Sequence, residues 1–219
     1  MKVILFGATG MVGQGVLREC LLDSQVEAVL AVGRGGVKQQ HAKLSVLVQD
    51  DLFDYSGSEA KLKGYDACCF CLGVSSAGMS EADYRRITFD LTLAAAETLA
   101  RLNPGMTFMY VSGAGTDSSE KGRSMWARVK GMTENALLKL PFKAAYMFRP
   151  GIIHPLHGIK SKTPLYNGFY MALGPLLWLL GVLAPNSMTT TEQLGRAMLH
   201  AARDGAPKPL LETADINRL

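Results

Sequence analysis

A chain of 219 residues, 48% of them hydrophobic, can bury a full core, which excludes a disordered segment and suits one soluble globular domain with a modest extension. The net charge of +4 comes from scattered lysines and arginines with no dense cluster, which excludes a nucleic-acid groove and leaves a mild bias toward anionic small molecules. Of the four cysteines, Cys68, Cys69 and Cys71 lie in one apolar run and Cys20 stands apart. They read as buried small hydrophobes and not as a disulfide or metal set.

The first element is a buried strand over 2–7, followed by Gly7-Ala8-Thr9-Gly10-Met11-Val12-Gly13 and a helix from about Met11 to Leu22. Glycines remove side chains where the backbone turns sharply and approaches a ligand, and Gly13 lets helix and strand pack closely. The free N–H groups and positive dipole end of the helix point at the turn, which suits a pyrophosphate. A second apolar strand over 27–33 completes a unit of the length expected for a dinucleotide site. It leads into Arg34, where an NAD-specific site would carry an acid for the ribose 2′-hydroxyl. A guanidinium at that position can clamp a 2′-phosphate, so NADP(H) is expected in preference to NAD(H).

Further strands are predicted over 44–49, 66–72, 106–112 and 143–149, with helical stretches between most of them. That alternation predicts an α/β fold, a Rossmann-type doubly wound parallel sheet. Cys68 and Cys69 then point to opposite faces of the sheet, and Cys69 and Cys71 share one. A helix from about Ser80 to Leu102 starts at a Ser80 cap with Asp83 closing a capping box, and ends at Asn103-Pro104-Gly105.

After Arg149-Pro150-Gly151 the chain becomes loop-rich. The expected division is therefore a dinucleotide-binding domain over 1–150 and a small substrate-covering part over 151–219. The apolar stretch 169–184 is shorter than a bilayer span and is broken by Gly174-Pro175, so it reads as a buried or homodimer-forming helix, with peripheral membrane contact through Trp178 kept as an alternative. His154 and His157 are separated by Pro155 and accompanied by no carboxylate, so no metal site is expected there. One of Thr189 to Thr191 caps a last helix over about 191–203. The first residues enter the strand directly, so no secretory leader is expected, and the reduced cysteines suggest the cytoplasm.

Taken with Asp51-Leu52, Cys71-Leu72-Gly73, Tyr110-Val111-Ser112, Lys130-Gly131 and Phe148-Arg149-Pro150-Gly151, the glycine turn makes most of the chain resemble the extended or atypical short-chain dehydrogenase/reductases, in their epimerase/dehydratase-like and Tat-interacting-protein-like branch. The resemblance implies that Gly7, Thr9, Gly10, Met11, Val12, Gly13, Arg34, Asp51, Leu52, Leu72, Gly73 and Lys130 hold a nicotinamide dinucleotide. It also implies that Asp51 receives the adenine amine, while a turn or helix cap is the plainer account of that aspartate. In this superfamily a serine, a tyrosine and a lysine four residues after the tyrosine share the chemistry. Ser112 and Lys130 match as catalytic positions, and the tyrosine position holds Trp126. An indole cannot exchange a proton near neutral pH. Three accounts stay open: binding of the dinucleotide without turnover, a proton from another group such as Tyr166, Tyr170 or His154, or a substrate that needs no strong acid. The corresponding functions are an NADP(H)-dependent oxidoreductase or epimerase-like enzyme for a small carbonyl or hydroxyl compound, or a dinucleotide-binding regulatory or scaffolding protein.

Overall fold

A computed structural model describes residues 1–159 and 187–219. The segment 160–186, which contains the apolar stretch 169–184 with Trp178, and the candidate donors Tyr166 and Tyr170, lies outside the described residues. Strand β1 (Lys2–Phe6) leads through the glycine turn into α1 (Met11–Leu22), and β2 (Ala28–Gly33) and β3 (Leu44–Val48) follow. A short helix α2 (Glu59–Leu62) precedes β4 (Ala67–Phe70). Next come α3 (Glu81–Arg85), a π-helical turn (Arg86–Asp90) and α4 (Leu91–Leu102), which together occupy the stretch predicted as one helix. Strand β5 (Thr107–Val111), helix α5 (Met125–Leu137) and β6 (Ala144–Arg149) complete the alternation.

Among the described residues these six strands, with a seventh, form one parallel sheet in the order β3-β2-β1-β4-β5-β6-β9, where β9 is Leu210–Glu212. Every pairing is parallel: Val3 stands beside Val29 on one side and Ala67 on the other. Strands buried on both faces read as continuous apolar runs, and β1 and β4 are such runs. Two apolar layers cover the faces. One gathers Leu5, Val16, Cys20, Cys69 and Met198, the other Ile4, Phe6, Cys68, Phe70 and Phe108. Cys68 and Cys69 thus face opposite layers as strand geometry requires, and all four thiols are free. Burial raises the Cys20 thiol to about 12 and Cys68 and Cys69 well above the usual thiol range.

Residues 187–219, which the sequence groups with the C-terminal part, return to this sheet. Strand β8 (Met188–Thr190) pairs with β7 (Ile152–His154) in a separate two-stranded ribbon and leads into α6 (Thr191–Asp204). Thr190 and Gln193 make a full capping box for α6. Helix α6 lies against α1 at close range: a Cβ on Gly15 would fall 2.6 Å from the Thr191 carbonyl oxygen, and one on Gly195 would fall 2.8 Å from Glu19 Cγ. After β9 a short helix α7 (Thr213–Ile216) closes the described fold. The sequence does not reveal β7, β8 or β9, because three-residue strands show no usable periodicity.

Ser80 accepts from the Asp83 amide at 3.1 Å, as expected of the cap. The return contact differs: the Ser80 hydroxyl lies 2.6 Å from the Asp83 carboxylate, in place of an Asp83 bond to the Ser80 amide.

Candidate dinucleotide site

In an open parallel sheet, ligands bind outside the carboxyl ends of the strands where the strand order reverses, and here the reversal falls between β1 and β4. The chain leaves β1 through Gly7 at a φ of +77°, a left-handed conformation open to glycine at no steric cost. A side chain there would also collide with β4's continuation, since its Cβ would lie 2.7 Å from the Cys71 carbonyl carbon and the Leu72 nitrogen. Gly13 is needed for a different reason. Its Cβ would sit 2.0 Å from the Gly7 carbonyl oxygen, so the absence of a side chain allows α1 to rest on the turn it follows. Gly10 is the N-cap of α1 and offers no side chain to bond the helix's first amides. The first turn, Met11 to Gly13, therefore presents its N–H groups to the crevice, as an anion site requires.

A cavity of about 420 Å³ brings together Gly7, Thr9, Gly10, Arg34, Asp51, Leu52, Leu72 and Gly73. A second of about 240 Å³ shares Gly7, Thr9, Arg34 and Leu72 with it and extends to Gly35 and Gly36. A Cβ on Gly35, Gly36 or Gly73 would meet nothing within 4 Å, so the glycine lining is not dictated by packing. This glycine-lined cradle at an uncapped helix N-terminus fits a dinucleotide. Met11, Val12 and Gly13 shape the helix end without lining either cavity.

Arg34 is exposed at the end of β2 and forms no hydrogen bond or ion pair among the described residues. Asp51 lines the cavity while its Oδ1 accepts the Phe53 amide at 2.8 Å, so the turn role weighed from sequence is present, and one carboxylate oxygen remains for a ligand. Phe53, Val74, Ile87 and Leu91 supply an apolar wall that the sequence reading missed. Ile87 and Leu91 come from the π turn and the start of α4, and only the fold brings them to the crevice. Phe53, next to Asp51-Leu52 and 39% exposed, is the one an unburied aromatic in a polar turn could have flagged.

At the β5 end, polar groups are bound to each other. The Ser112 hydroxyl donates to Glu134 Oε1 at 2.5 Å. Glu134, fully buried on α5, also accepts Arg149 Nε at 3.0 Å and Arg149 Nη2. Arg149 goes on to Ser118 Oγ at 2.5 Å and Glu212 at 3.2 Å, and Glu134 holds its pKa above the usual guanidinium value. The hydroxyl hydrogen of Ser112 is thus committed to a buried carboxylate. The loop after β5 is pinned to α5: a Cβ on Gly131 would lie 1.8 Å from the Asp117 carbonyl oxygen, which accounts for glycine after Lys130. The Trp126 indole lies over this loop, with Cη2 3.5 Å from where a Gly115 Cβ would be.

Lys130 is the exception. Among the described residues it forms one hydrogen bond, to the Val111 carbonyl at 3.4 Å, and no ion pair, while its ammonium stands 5.4 Å from the centroid of the Tyr110 ring. Lys130 is partly enclosed by protein and keeps partial exposure. That enclosure lowers its pKa to about 8, and the Glu134 carboxylate pulls weakly the other way.

No protein-family model matches the chain. A solved structure of the Bordetella bronchiseptica enzyme WbmG in complex with NAD superposes with a TM-score of 0.70, at 11% identity, over 96% of this chain and 71% of that one. UDP-glucose 4-epimerase from Thermotoga maritima superposes at 0.66, with 13% identity over 93% of this chain and 74% of that one. The chain has the fold of the NAD-dependent epimerase/dehydratase-like short-chain dehydrogenase/reductases. Among relatives in sequence, the protein named fmp52-2, mitochondrial, of Aspergillus oryzae is 29% identical over 98% of this chain and 95% of its own length. Protein FMP52, mitochondrial, of Chaetomium globosum is 26% identical over 99% and 95%. The rat protein HTATIP2 is 26% identical over 68% of this chain and 65% of its own, as the Tat-interacting-protein resemblance led one to expect.

These relatives overturn the cytoplasmic expectation, because both FMP52 relatives named above, matched over nearly the whole chain, carry mitochondrial names. Reduced, buried cysteines report the redox condition of a compartment and not which reducing compartment it is. Among the described residues no helix is long and apolar enough to cross a membrane.

Proposed function

We propose that this short-chain dehydrogenase/reductase fold binds a nicotinamide dinucleotide across the β1–β4 crevice and acts as an NADP(H)-dependent oxidoreductase or epimerase-like enzyme on a small carbonyl or hydroxyl compound. The observation that carries this reading is the convergence of eight sequence-selected residues on one cavity in front of an uncapped helix N-terminus. Its pyrophosphate would lie on the first turn of α1, its adenosine between Arg34, Asp51 and Leu52, and its nicotinamide end toward β5 and Lys130. Bound there, the nicotinamide supplies hydride transfer. Arg34, exposed and without a protein partner among the described residues, would take the 2′-phosphate. Arg34→Ala is expected to weaken NADPH binding by about 1.5–3 kcal/mol and NADH binding far less, read by fluorescence titration with both. Equal losses would remove the NADP(H) assignment.

A second reading has its own observation: Trp126 packs on the Gly115 loop and Ser112 is bonded to Glu134, so neither offers a proton. On that reading the dinucleotide sets the conformation of a regulatory or scaffolding protein. Pull-downs that recover the same partners with and without NADPH would count against it.

A further inference from the structure

The proton that the tyrosine position cannot supply has another candidate on the same helix. We propose that Lys130 itself is the proton donor and acceptor for the substrate oxygen, a role that rests on the dinucleotide reading of the crevice.

Three observations place it. Lys130 reaches back to the Val111 carbonyl at the carboxyl end of β5, and β5 lies next to β4, with Tyr110 beside Phe70. Continuing that register sets Val111 beside Cys71 and Ser112 beside Leu72, and both Cys71 and Leu72 line the larger cavity. Its single long hydrogen bond leaves N–H donors unassigned among the described residues, in an enclosed site where an unmatched ammonium is costly. The other polar groups at this end are occupied: Ser112, Glu134, Arg149 and Ser118 bond to one another.

The groups that face Lys130 set its proton affinity. The Tyr110 ring and Val111 carbonyl come from β5, and Glu134 stands one turn on along α5. Arg149 of β6 is bonded to Glu134 and blunts its pull, and Tyr84 of α3 acts on the Tyr110 phenol behind. Enclosure wins over Glu134, so the amine gives up its proton far more readily than a solvated lysine. In carbonyl reduction the electron pair reaches the carbonyl carbon with a hydride from a reduced nicotinamide, and the carbonyl π pair moves to oxygen. That oxygen takes a proton from the Lys130 ammonium, and the neutral amine left behind recovers a proton from water. Oxidation of an alcohol runs the same exchange in reverse.

The full chain tests this in two ways. In the first, without dinucleotide, trace acetylation with isotopic acetic anhydride between pH 6 and 11 is read peptide by peptide. Lys130 should become reactive near pH 8, with exposed Lys63 as the internal reference; reaction of the two in parallel overturns the proposal. In the second, NADPH consumption is followed over a panel of aliphatic and aromatic aldehydes and ketones. Lys130→Arg keeps the cation but cannot release a proton near neutrality, so kcat should fall by about 100-fold or more while NADPH affinity holds within a few fold. Lys130→Ala should regain turnover with added ethylamine, which separates a lost proton donor from a misfolded variant. Retained kcat in Lys130→Arg, or wild-type protein that binds NADPH and reduces nothing in the panel, overturns the proton role and leaves the dinucleotide site standing. Failure of wild type to bind NADPH or NADH overturns the dinucleotide reading, and this proposal with it.

Discussion

The two ends of the crevice are built on opposite principles. At the β1–β2 end several groups are left open: Gly10 gives α1 no side-chain cap, Arg34 has no protein partner among the described residues, and Gly35 and Gly36 face open space. At the β5–β6 end nearly every polar group is bonded to another, through a carboxylate with no solvent exposure. Open valences mark where an outside ligand completes the structure, and closed ones mark where the protein holds itself together. Lys130, loosely held inside the closed end, breaks that division, and for that reason it draws the chemistry.

The sharpest way to break the comparison is to open the closed end. Glu134→Ala leaves Arg149 buried without its main partner, which should cost about 3–5 kcal/mol in denaturant unfolding. A loss below about 1 kcal/mol would mean that the cluster is not a structural clasp. Next comes Lys130→Met. The folded protein binds the lysine proton more weakly than the unfolded chain does, so this group destabilises the fold most below pH 8 and ceases to do so as pH passes about 10.5. The variant should therefore exceed wild type by about 2–3 kcal/mol at pH 7, and the gap should close toward pH 10.5. The difference between the two proteins is the quantity to follow, because the buried thiols, with pKa values raised by burial, weaken both alike above about pH 9. A gap that is constant with pH would place the ammonium in water. The smallest effect belongs to the open end: Gly13→Ala should destabilise by about 1–3 kcal/mol while pushing α1 off the turn, so dinucleotide affinity should fall as well. Unchanged affinity would detach the helix from the ligand.

The sequence displayed the open end better than the closed one, for a physical reason. Glycines, a strand-ending arginine and an Asp-Leu pair act through local backbone geometry, and local geometry is written in consecutive residues. All six strands of the main alternation, and helix α1 over Met11–Leu22, were legible in the same way, because long apolar runs and caps are local signals. Ser112, Glu134 and Arg149 meet from β5, α5 and β6, and no spacing announces that a buried glutamate will claim the serine. The same holds for the Ile87 and Leu91 wall and for Gly131 of α5, whose neighbour Asp117 lies fourteen positions earlier in the loop before that helix.

The seventh strand bears on the order of assembly. Strand β6 finds its outer partner in Leu210–Glu212, with Phe148 beside Leu211, so during synthesis that edge of the sheet stays open until residues 210–212 have left the ribosome. Arg149, already bound to Glu134, then meets Glu212 across the closing edge. A nascent chain halted before residue 210 should therefore be prone to edge-to-edge association, and β9 serves as the seal on a sheet whose ligand crevice was laid down first.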